Sequence, residues 1–322
     1  MEQATTLQHI NWQSNMTRQQ LKERHKIMQK IRQFFDEKGL IEVETPLLTA
    51  SPVTDVHLDS FKTSYFGKDY FLITSPEYHM KRLLACDVGP IYQICKCFRL
   101  EETSKKHNPE FTMLEWYLPN YNLQRLLDRV EELFSLFFDF EYLERYTYDF
   151  IFKKYLGFSP LEADHKLLVE QAKLYGLYAA YKYDSDTILE FLFSTCIEPY
   201  LGKRNPVAIY NYPASQAALA QVTSEDPRTA QRTEVFFKGI ELANGFYELT
   251  DWKIQQQRFL QDLNQRKSNK QEVFTPDQRL LAALEHGMPP CSGIALGLDR
   301  FIMLIMQESS IANVMSFTVE NA

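Results

Sequence analysis

The most informative stretch of the sequence is Phe98-Arg-Leu-Glu-Glu-Thr-Ser-Lys-Lys-His-Asn-Pro-Glu-Phe-Thr-Met-Leu-Glu-Trp-Tyr117. Residues 91–98 and 111–118 are rich in aromatic and aliphatic side chains that alternate in character. This pattern predicts two strands of a hairpin. The loop between them, residues 101–109, is polar and contains a proline, which is typical of a connection between strands.

Successive side chains of a strand point to opposite faces, so parity assigns a face to each residue of the hairpin. Arg99 and Glu101 share one face, and Phe111, Glu115 and Tyr117 share a face across the loop. Unpaired buried charges are costly, so such a face is a poor choice for a core. An arginine can hold a phosphate, an aromatic ring can stack on a base, and carboxylates can bind an amine. The residues alone leave two interpretations, a ligand-binding floor and a hairpin with one solvated face.

The same stretch resembles motif 2 of the class II aminoacyl-tRNA synthetases, in the form found in lysyl-tRNA synthetases. The match covers residues 98–101 and 107–112. In that family the arginine contacts the α-phosphate of ATP, the glutamate and the loop contact adenine, and the phenylalanine stacks on the base. The resemblance therefore implies an ATP site formed by Arg99, Glu101, His107, Asn108 and Phe111.

Composition limits the class of protein. A chain of 322 residues with 45% hydrophobic composition is long enough for one large domain. A net charge of −7 argues against a broad nucleic-acid-binding surface. The five cysteines lack paired Cys-x-x-Cys spacing, which predicts neither a disulfide framework nor a zinc site. Residues 1–16 form a polar tail without an apolar signal segment, and residues 296–306 are interrupted by charges, so we expect a cytoplasmic protein with no membrane span.

The first strong helix is predicted from Thr17 to Lys38, with Gly39 as its C-terminal stop. Its apolar stripe consists of Leu21, Ile27, Met28, Ile31, Phe34 and Phe35. The extended segment 40–46 that follows resembles motif 1, which builds the homodimer interface in class II synthetases. This signal is weak alone and gains weight because motif 2 follows it at a suitable distance.

Ser75-Pro76-Glu77 follows a predicted strand at residues 70–74 and opens a helix, with the serine as N-cap and the proline at the first helical position. That structural role is sufficient to explain the residues. The resemblance adds a second role, because the lysyl family carries at this junction the glutamate that binds the amino group of the substrate. Glu77 is the corresponding residue here.

Residues 122–138 have the spacing of an amphipathic core helix. Further helical patterns follow up to residue 205, including one that begins near Asp184 and Ser185 with Ile188, Phe191 and Leu192 inward, and none of them contains a catalytic motif. We therefore predict a mainly helical insertion at about 122–205 within a catalytic domain of residues 17–322.

A second acidic cluster lies in residues 232–250, where strand-forming residues dominate and Gly239 and Gly245 are predicted turn or bulge points. Its carboxylates stand among apolar neighbours and need partners such as Mg²⁺ or an ammonium group, unless they lie on an exposed edge strand. The resemblance implies that Glu234 and Glu241 hold Mg²⁺ on ATP, with Leu242 beside the nucleotide. It implies that Asn244 and Glu248 bind the amino acid, together with Ser75, Pro76, Glu77, Glu115 and Tyr117.

The third landmark is Cys291-Ser-Gly-Ile-Ala-Leu-Gly-Leu-Asp-Arg-Phe-Ile-Met-Leu304, a glycine-containing strand that enters an apolar helix. It resembles motif 3, whose arginine, here Arg300, contacts the γ-phosphate of ATP beside Gly297. Arg99 and Arg300 are thus the predicted catalytic residues. Ala295 replaces a glycine of the lysyl enzymes and adds a methyl to the implied amino-acid pocket, where it can change the preferred ligand by about 1–3 kcal/mol. The alternative is a neutral substitution that faces away from the ligand.

The chain also lacks room for an anticodon-binding domain before motif 1. Together with Ala295, this resembles the lysyl-tRNA synthetase paralogues that ligate β-lysine to elongation factor P. The resemblance implies an α+β fold of the class II type, an antiparallel sheet flanked by helices, in a homodimer that uses ATP and Mg²⁺. It makes elongation factor P the expected acceptor and tRNA an unexpected one. A truncated synthetase that charges tRNA with lysine and a non-catalytic lysine or ATP sensor are the alternatives, and no residue is identified as the general base for the acceptor amine.

Overall fold

The computed structural model describes residues 12–322. Its strands are β1 (Ile41–Glu42), β2 (Leu48–Thr49), β3 (Lys62–Tyr65), β4 (Lys68–Leu72), β5 (Ile91–Phe98), β6 (Glu110–Pro119), β7 (Glu144–Thr147), β8 (Val207–Pro213), β9 (Thr229–Phe237), β10 (Ile240–Tyr247) and β11 (Cys291–Gly297). Its α-helices are α1 (Arg18–Glu37), α2 (Glu77–Leu84), α3 (Leu123–Ser135), α4 (Tyr148–Leu156), α5 (His165–Leu174), α6 (Ser185–Cys196), α7 (Trp252–Ser268), α8 (Gln278–His286) and α9 (Leu298–Ile305).

The main sheet has eight strands in the order β1-β5-β6-β11-β10-β9-β8-β7. The six inner strands are antiparallel, and the two edge strands β1 and β7 pair in parallel with their neighbours. The predicted hairpin is present, since β5 and β6 pair from Ile91 opposite Tyr117 to Phe98 opposite Glu110. The α+β prediction is therefore confirmed, with the refinement that the sheet is mixed at its edges.

One face of the main sheet is covered by α1, α3 and α9, which form the largest hydrophobic core with Tyr92, Trp116 and Leu296. Helix α1 begins after Thr17, whose side chain caps it, and ends before Gly39, which has a positive φ. The predicted stripe is correct for Ile27, Ile31, Phe34 and Phe35, but Leu21 was wrong because it is exposed in the first turn. The sheet covers only the later turns of this helix.

The other face carries two smaller cores near its ends. Helices α4, α5 and α6 pack over β8 and β9 at one end, around Phe152, Leu192 and Phe236. Helices α2, α7 and α8 pack over the far end of β5, β6 and β11, around Ile91 and Phe259. Between these two cores, Ile73 packs on Cys97 and Met113 in a small third cluster. This middle part of the face carries most of the residues that the sequence selects as functional.

The segment 122–205 contains four α-helices but also strand β7 at the edge of the main sheet. Its first helix, α3, belongs to the largest core rather than to the core of α4–α6. Of the predicted tail, residues 1–11 lie outside the described residues, and Met16 is buried. Within residues 12–322, no helix has both the length and the apolar character needed to cross a membrane.

Two local predictions need correction. Helix α2 begins at Glu77 with Pro76 as its cap residue, one position later than predicted, although the Ser75 hydroxyl still accepts a hydrogen bond from the Glu77 amide at 3.0 Å. Gly239 lies in the β9–β10 turn as expected, but Gly245 does not lie at a bulge, which falls between Glu241 and Ala243. A Cβ at Gly245 would come within 2.8 Å of the Gly293 carbonyl, so this glycine permits close packing of adjacent strands.

Candidate active site

A row of side chains crosses the open face of the main sheet. Residues that are directly paired in neighbouring strands project to the same face. Glu115 on β6 pairs with Ala295 on β11, which pairs with Asn244 on β10, which pairs with Glu234 on β9. We call these four residues the polar row. Ala295 therefore shares a face with Glu115 and Asn244. The acidic cluster also lies in central strands, so the edge-strand alternative is excluded.

An arginine-rich region, which we call the arginine end, adjoins the row near the β5–β6 loop. The Arg99 guanidinium lies over the Phe111 ring, with its central carbon 5.1 Å from the ring centroid. The Arg99 amide donates to the Pro109 carbonyl at 2.9 Å, which fixes the base of the loop. Its side-chain Nε is buried without a hydrogen-bond partner in the part of the chain that the structure describes. A buried cationic donor without a partner is suited to an anionic ligand.

Arg300 reaches the same end from the first turn of α9. Its guanidinium donates to the Lys106 carbonyl at 3.1 Å and the Glu241 carbonyl at 3.2 Å, and it lies 2.6 Å from His107 Nε2. An arginine can only donate, so His107 accepts at Nε2 and carries its proton at Nδ1, 2.8 Å from the Ser104 hydroxyl. Burial and then the Arg300 charge lower the pKa of His107. The loop and the motif 3 helix thus meet, as the sequence predicts.

Three other predicted ATP-binding residues are placed differently from one another. Glu101 is exposed, with a carboxylate oxygen 3.8 Å from His107 Nε2. The side chain of Asn108 donates to the Glu110 carbonyl at 2.6 Å and accepts from the Val319 amide at 3.1 Å, so both its polar atoms are already engaged. Leu242 places its side chain in the largest core on the opposite face. Any contact of Leu242 with a ligand therefore comes from its backbone.

The opposite side of the row is a buried acidic region, which we call the acidic end. The Glu115 carboxylate accepts from the Ser75 hydroxyl at 2.7 Å and from the Tyr117 hydroxyl at 2.6 Å. The Tyr117 ring lies across Gly293, where a Cβ would meet ring carbons at 2.3 and 2.4 Å. Only glycine at this position leaves room for the tyrosine, which in turn fixes Glu115.

Glu248 and Glu77 complete the acidic end, and they do so through a residue that the sequence analysis missed. Lys81 lies one turn after Glu77 on α2, with its Nζ 2.7 Å from Glu77 Oε1 and 2.6 Å from Glu248 Oε2. Its side chain is only 2% exposed. The available signal was a lysine four residues after Glu77 on the buried face of a short helix, between Tyr78 and Leu84. Such pairs are common on exposed helices, so spacing alone did not single it out.

The electrostatics of the acidic end follow from burial. Burial, then the charge of Glu77, raises the pKa of Glu115 to about 7. Burial also raises the pKa of Glu248 to about 8, although the nearby Lys81 opposes this shift. Burial and the same carboxylates raise the pKa of the Tyr117 hydroxyl, which therefore remains a neutral donor. Glu248 Oε1 and Asn244 Oδ1 are buried acceptors without a hydrogen-bond donor among residues 12–322.

A model of class II tRNA synthetases of the D, K and N type matches residues 1–321. The chain belongs to the class II tRNA synthetase family. A relative from Pasteurella multocida named elongation factor P–(R)-β-lysine ligase is 50% identical over 318 residues, covering 97% of this chain and 98% of the relative. Relatives of the same name from Haemophilus ducreyi and Haemophilus influenzae are each 48% identical, and they cover 98% and 99% of this chain and 99% and 100% of their own length.

Class II synthetases use ATP, typically with Mg²⁺, and the two residues predicted to hold the metal are Glu234 and Glu241. Glu234 accepts from Arg232 at 2.5 Å and Tyr212 at 2.7 Å, and Asn244 Nδ2 lies 3.5 Å away. Burial and then repulsion from Glu234 raise the pKa of Glu241 to about 7. No group of three His, Cys, Asp or Glu side chains with metal-site geometry occurs in residues 12–322. Two carboxylates fit Mg²⁺, which commonly takes one or two from the protein and the rest from phosphate and water.

Proposed function

We propose that the chain activates β-lysine with ATP as an aminoacyl-adenylate and ligates it to a lysine side chain of elongation factor P. The near-full-length relatives named for this ligation support the reaction class. The observation in the molecule that carries the proposal is the polar row, because it joins an anion-binding end to a buried end with excess negative charge. A substrate with a carboxylate to be activated and two ammonium groups matches both ends.

The first step is attack of the amino-acid carboxylate on the α-phosphorus of ATP, with pyrophosphate leaving. Phe111 stacks on adenine, Arg99 binds the α-phosphate through the donor that has no protein partner, and Arg300 binds the γ-phosphate. Charge accumulates on the phosphate oxygens during this step, so fixed cationic donors lower its barrier. Mg²⁺ held by Glu234 and Glu241 would add positive charge on the phosphates. The protein acts by positioning and electrostatics.

To bind ATP in this way, Arg300 exchanges some of its present contacts. Its guanidinium contacts two backbone carbonyls and His107. The incoming γ-phosphate competes with these neutral acceptors and wins because an ionic hydrogen bond is roughly twice as strong as a neutral one. The loop at residues 101–109 is therefore released from Arg300 and free to fold over adenine.

The amino-acid substrate lies along the row with its ammonium groups at the acidic end. Glu248 Oε1 and Asn244 Oδ1 are buried acceptors that gain donors from an ammonium group. Glu115, fixed by Ser75 and Tyr117, supplies a second carboxylate. The methyl of Ala295 lies between Glu115 and Asn244 and restricts where the chain of the substrate can pass. This restriction favours β-lysine over lysine.

In the second step the neutral amine of an acceptor lysine attacks the carbonyl carbon of the adenylate and a new amide bond forms. The bond between that carbon and the phosphate oxygen breaks, so AMP leaves, and the amine gives up one proton to solvent. The same arginine end that stabilises the first transition state stabilises the departing AMP. We propose that the reaction takes place in the cytoplasm, where elongation factor P is available.

We also propose a homodimer built partly on residues 40–46. Strand β1 is an edge strand of the main sheet. Three apolar residues in and after this strand are exposed, namely Ile41, Leu47 and Leu48. Exposed apolar residues along a sheet edge are a typical dimer surface. Light scattering of the native chain and of an Ile41→Lys variant tests this, with a monomeric native chain as the contrary result.

The decisive experiment for the function is incubation of the protein with ATP and β-lysine, together with either elongation factor P or bulk tRNA. A mass increase on elongation factor P equal to one β-lysyl group is expected, with no aminoacylated tRNA. Transfer to tRNA alone would instead support a truncated lysyl-tRNA synthetase. Binding of lysine and ATP without any pyrophosphate exchange would support a non-catalytic sensor.

A further inference from the structure

We propose that Lys81 is a positioning residue that sets the charge of the amino-acid pocket, so that the pocket accepts a substrate with two ammonium groups. Lys81 contacts neither of the proposed substrate ends directly and acts through Glu77 and Glu248. The inference rests on the proposed function for the location of the amino-acid substrate. It adds a specificity role for a residue outside the three synthetase motifs.

The net charge of the acidic end matches that of a substrate with two ammonium groups. The acidic end contains the three carboxylates Glu77, Glu115 and Glu248 and the one ammonium group of Lys81. When all four are ionised the pocket carries two negative charges. A lysine isomer whose carboxylate has been converted to a mixed anhydride with AMP brings two positive charges, so the occupied pocket is neutral. Neutrality matters here because a buried charge left unpaired is costly.

The contacts of Lys81 also fix the orientation of Glu77 and Glu248. Lys81 Nζ forms an ion pair with one oxygen of Glu248, Oε2, at 2.6 Å, so Oε1 lies outside this pair; both oxygens are buried, and neither accepts a well-formed hydrogen bond among residues 12–322. The same ammonium fixes Glu77 one turn earlier on α2, so the two carboxylates are held by one residue. A lysine that points outward to solvent could not do this. The burial of Lys81, at 2% exposure, therefore serves the orientation of Glu248 and keeps one of its oxygens available for the substrate.

The protonation state of Glu248 depends on this contact. The charged or titratable groups that face Lys81 and Glu248 from the surrounding elements are Glu77 on α2, Glu115 and Tyr117 on β6, and Cys291 on β11. Burial alone would lower the pKa of Lys81, but the charges of Glu248 and Glu77 raise it, so Lys81 stays protonated. Its positive charge keeps the pKa of Glu248 lower than burial and the other carboxylates would set it. Without Lys81 the pKa of Glu248 would rise further, so a smaller fraction of its carboxylate would be ionised at neutral pH and its attraction for an ammonium group would weaken.

The experiment measures amino-acid-dependent pyrophosphate exchange from pH 6 to pH 9.5 for the native chain and for Lys81→Met. Methionine is close to lysine in length and uncharged. We expect the pH midpoint for the KM of β-lysine to rise by about one unit or more, toward or beyond the upper limit of this range, and the KM at pH 7 to rise at least about tenfold. The KM for ATP should stay within about twofold, because the arginine end is unchanged. A purely structural role would weaken both substrates together and leave the midpoint where it was.

A second pair of variants keeps the test decisive if Lys81→Met does not fold. Glu77→Gln and the double variant Glu77→Gln/Lys81→Met differ only in Lys81, and neither leaves Glu77 as an unpaired charge. We expect a higher pH midpoint in the double variant than in Glu77→Gln. Equal midpoints in this pair, or an unchanged midpoint in a folded Lys81→Met, would overturn the inference.

Lys153→Met is the matched control. Lys153 also pairs with a carboxylate four residues away on a helix, 2.7 Å from Asp149, but it is about half exposed and lies on the outer face of α4, far from the acidic end. It should change neither KM. Failure of the proposed function has a different signature, namely no exchange by the native chain with either lysine isomer. Calorimetric titration of lysine into the same variants then still tests Lys81, since the pH dependence of binding is measured without turnover.

Discussion

The arginine end and the acidic end lie on opposite sides of the polar row, and they differ in how their charges are buried and paired. At the arginine end, Arg99 and Arg300 are half-buried; Arg99 lies over an aromatic ring, and Arg300 contacts backbone carbonyls, an uncharged histidine and, at 3.7 Å, the Glu241 carboxylate. At the acidic end, Glu115 and Glu248 are almost fully buried, and the charge of Glu248 is shared with the buried Lys81. The arginine end offers cationic donors to the phosphates of ATP, and the acidic end contains a buried set of three carboxylates and one ammonium group.

This difference shows that the exposure of a site to water determines how strictly its charges must be balanced by the ligand. Partial access to water screens charges at the arginine end, so the arginines there need no fully buried partner before ATP binds. Screening is weak at the acidic end, so burial, followed by repulsion between neighbouring carboxylates, raises the pKa of Glu115 to about 7 and the pKa of Glu248 to about 8. The arginine end is therefore expected to control the rate of chemistry, and the acidic end the choice of amino acid and its pH dependence.

The largest effect is expected for Arg99→Ala. The buried Nε that awaits the α-phosphate is lost, so pyrophosphate exchange should fall by about a thousandfold or more. Lys96→Ala is the control, because Lys96 is a nearby cation on β5 whose side chain is partly exposed and paired with Glu110 at 3.5 Å. Exchange near the native rate in Arg99→Ala would show that another group holds the α-phosphate, and the contrast between the two ends would fail.

The next effect tests the acidic end. Glu248→Gln removes a buried charge that faces the substrate ammonium, a hydrogen bond worth about 1.5–3 kcal/mol, so the KM for the amino acid should rise by about ten- to a hundredfold. The KM for ATP should change little. Steady-state titrations of both substrates check this, and equal effects on the two would place Glu248 in the scaffold or on the metal rather than on the amino acid.

A smaller effect is expected for Ala295→Gly, which removes the methyl between the two ends. Activation of lysine should improve relative to β-lysine by about tenfold, since a methylene-sized change in a tight pocket is worth about 1–3 kcal/mol. Parallel exchange assays with the two isomers give the ratio of kcat/KM. An unchanged ratio would mean that isomer choice is set by the carboxylates alone.

The smallest effect is the pH dependence of the native chain. Both carboxylates bind an ammonium group only when ionised, and burial raises the pKa of Glu115 to about 7 and of Glu248 to about 8. Binding of β-lysine should therefore weaken by about tenfold as the pH falls from 8 to 7, because the ammonium groups bind the ionised fraction of each carboxylate and this fraction shrinks over that range. ATP binding should vary less over the same range. A KM for β-lysine that is flat from pH 6 to 9 would contradict the dry acidic end.

The sequence alone predicted the β5–β6 hairpin and helix α1, the two elements with the clearest periodicity. Alternation in residues 91–98 and 111–118 predicted β5 and β6 within a residue or two, because a strand with one polar and one apolar face leaves a period-two signal. The apolar stripe predicted α1 but included Leu21, since periodicity shows which residues share a face and not how far the sheet extends beneath them. Parity also placed Glu115 and Tyr117 together, where their side chains are hydrogen-bonded.

The family, the reaction class and the identity of most candidate site residues could be inferred from local motifs, because each motif is a contiguous stretch whose residue types bear its chemistry. Tertiary structure alone decided what depends on several distant segments. The position of Ala295 between Glu115 and Asn244 is a consequence of strand register, and the burial of Lys81 against Glu248 joins residues 167 positions apart. The charge of a buried pocket is a sum over all the groups that folding brings together, and no single stretch of the sequence contains that sum.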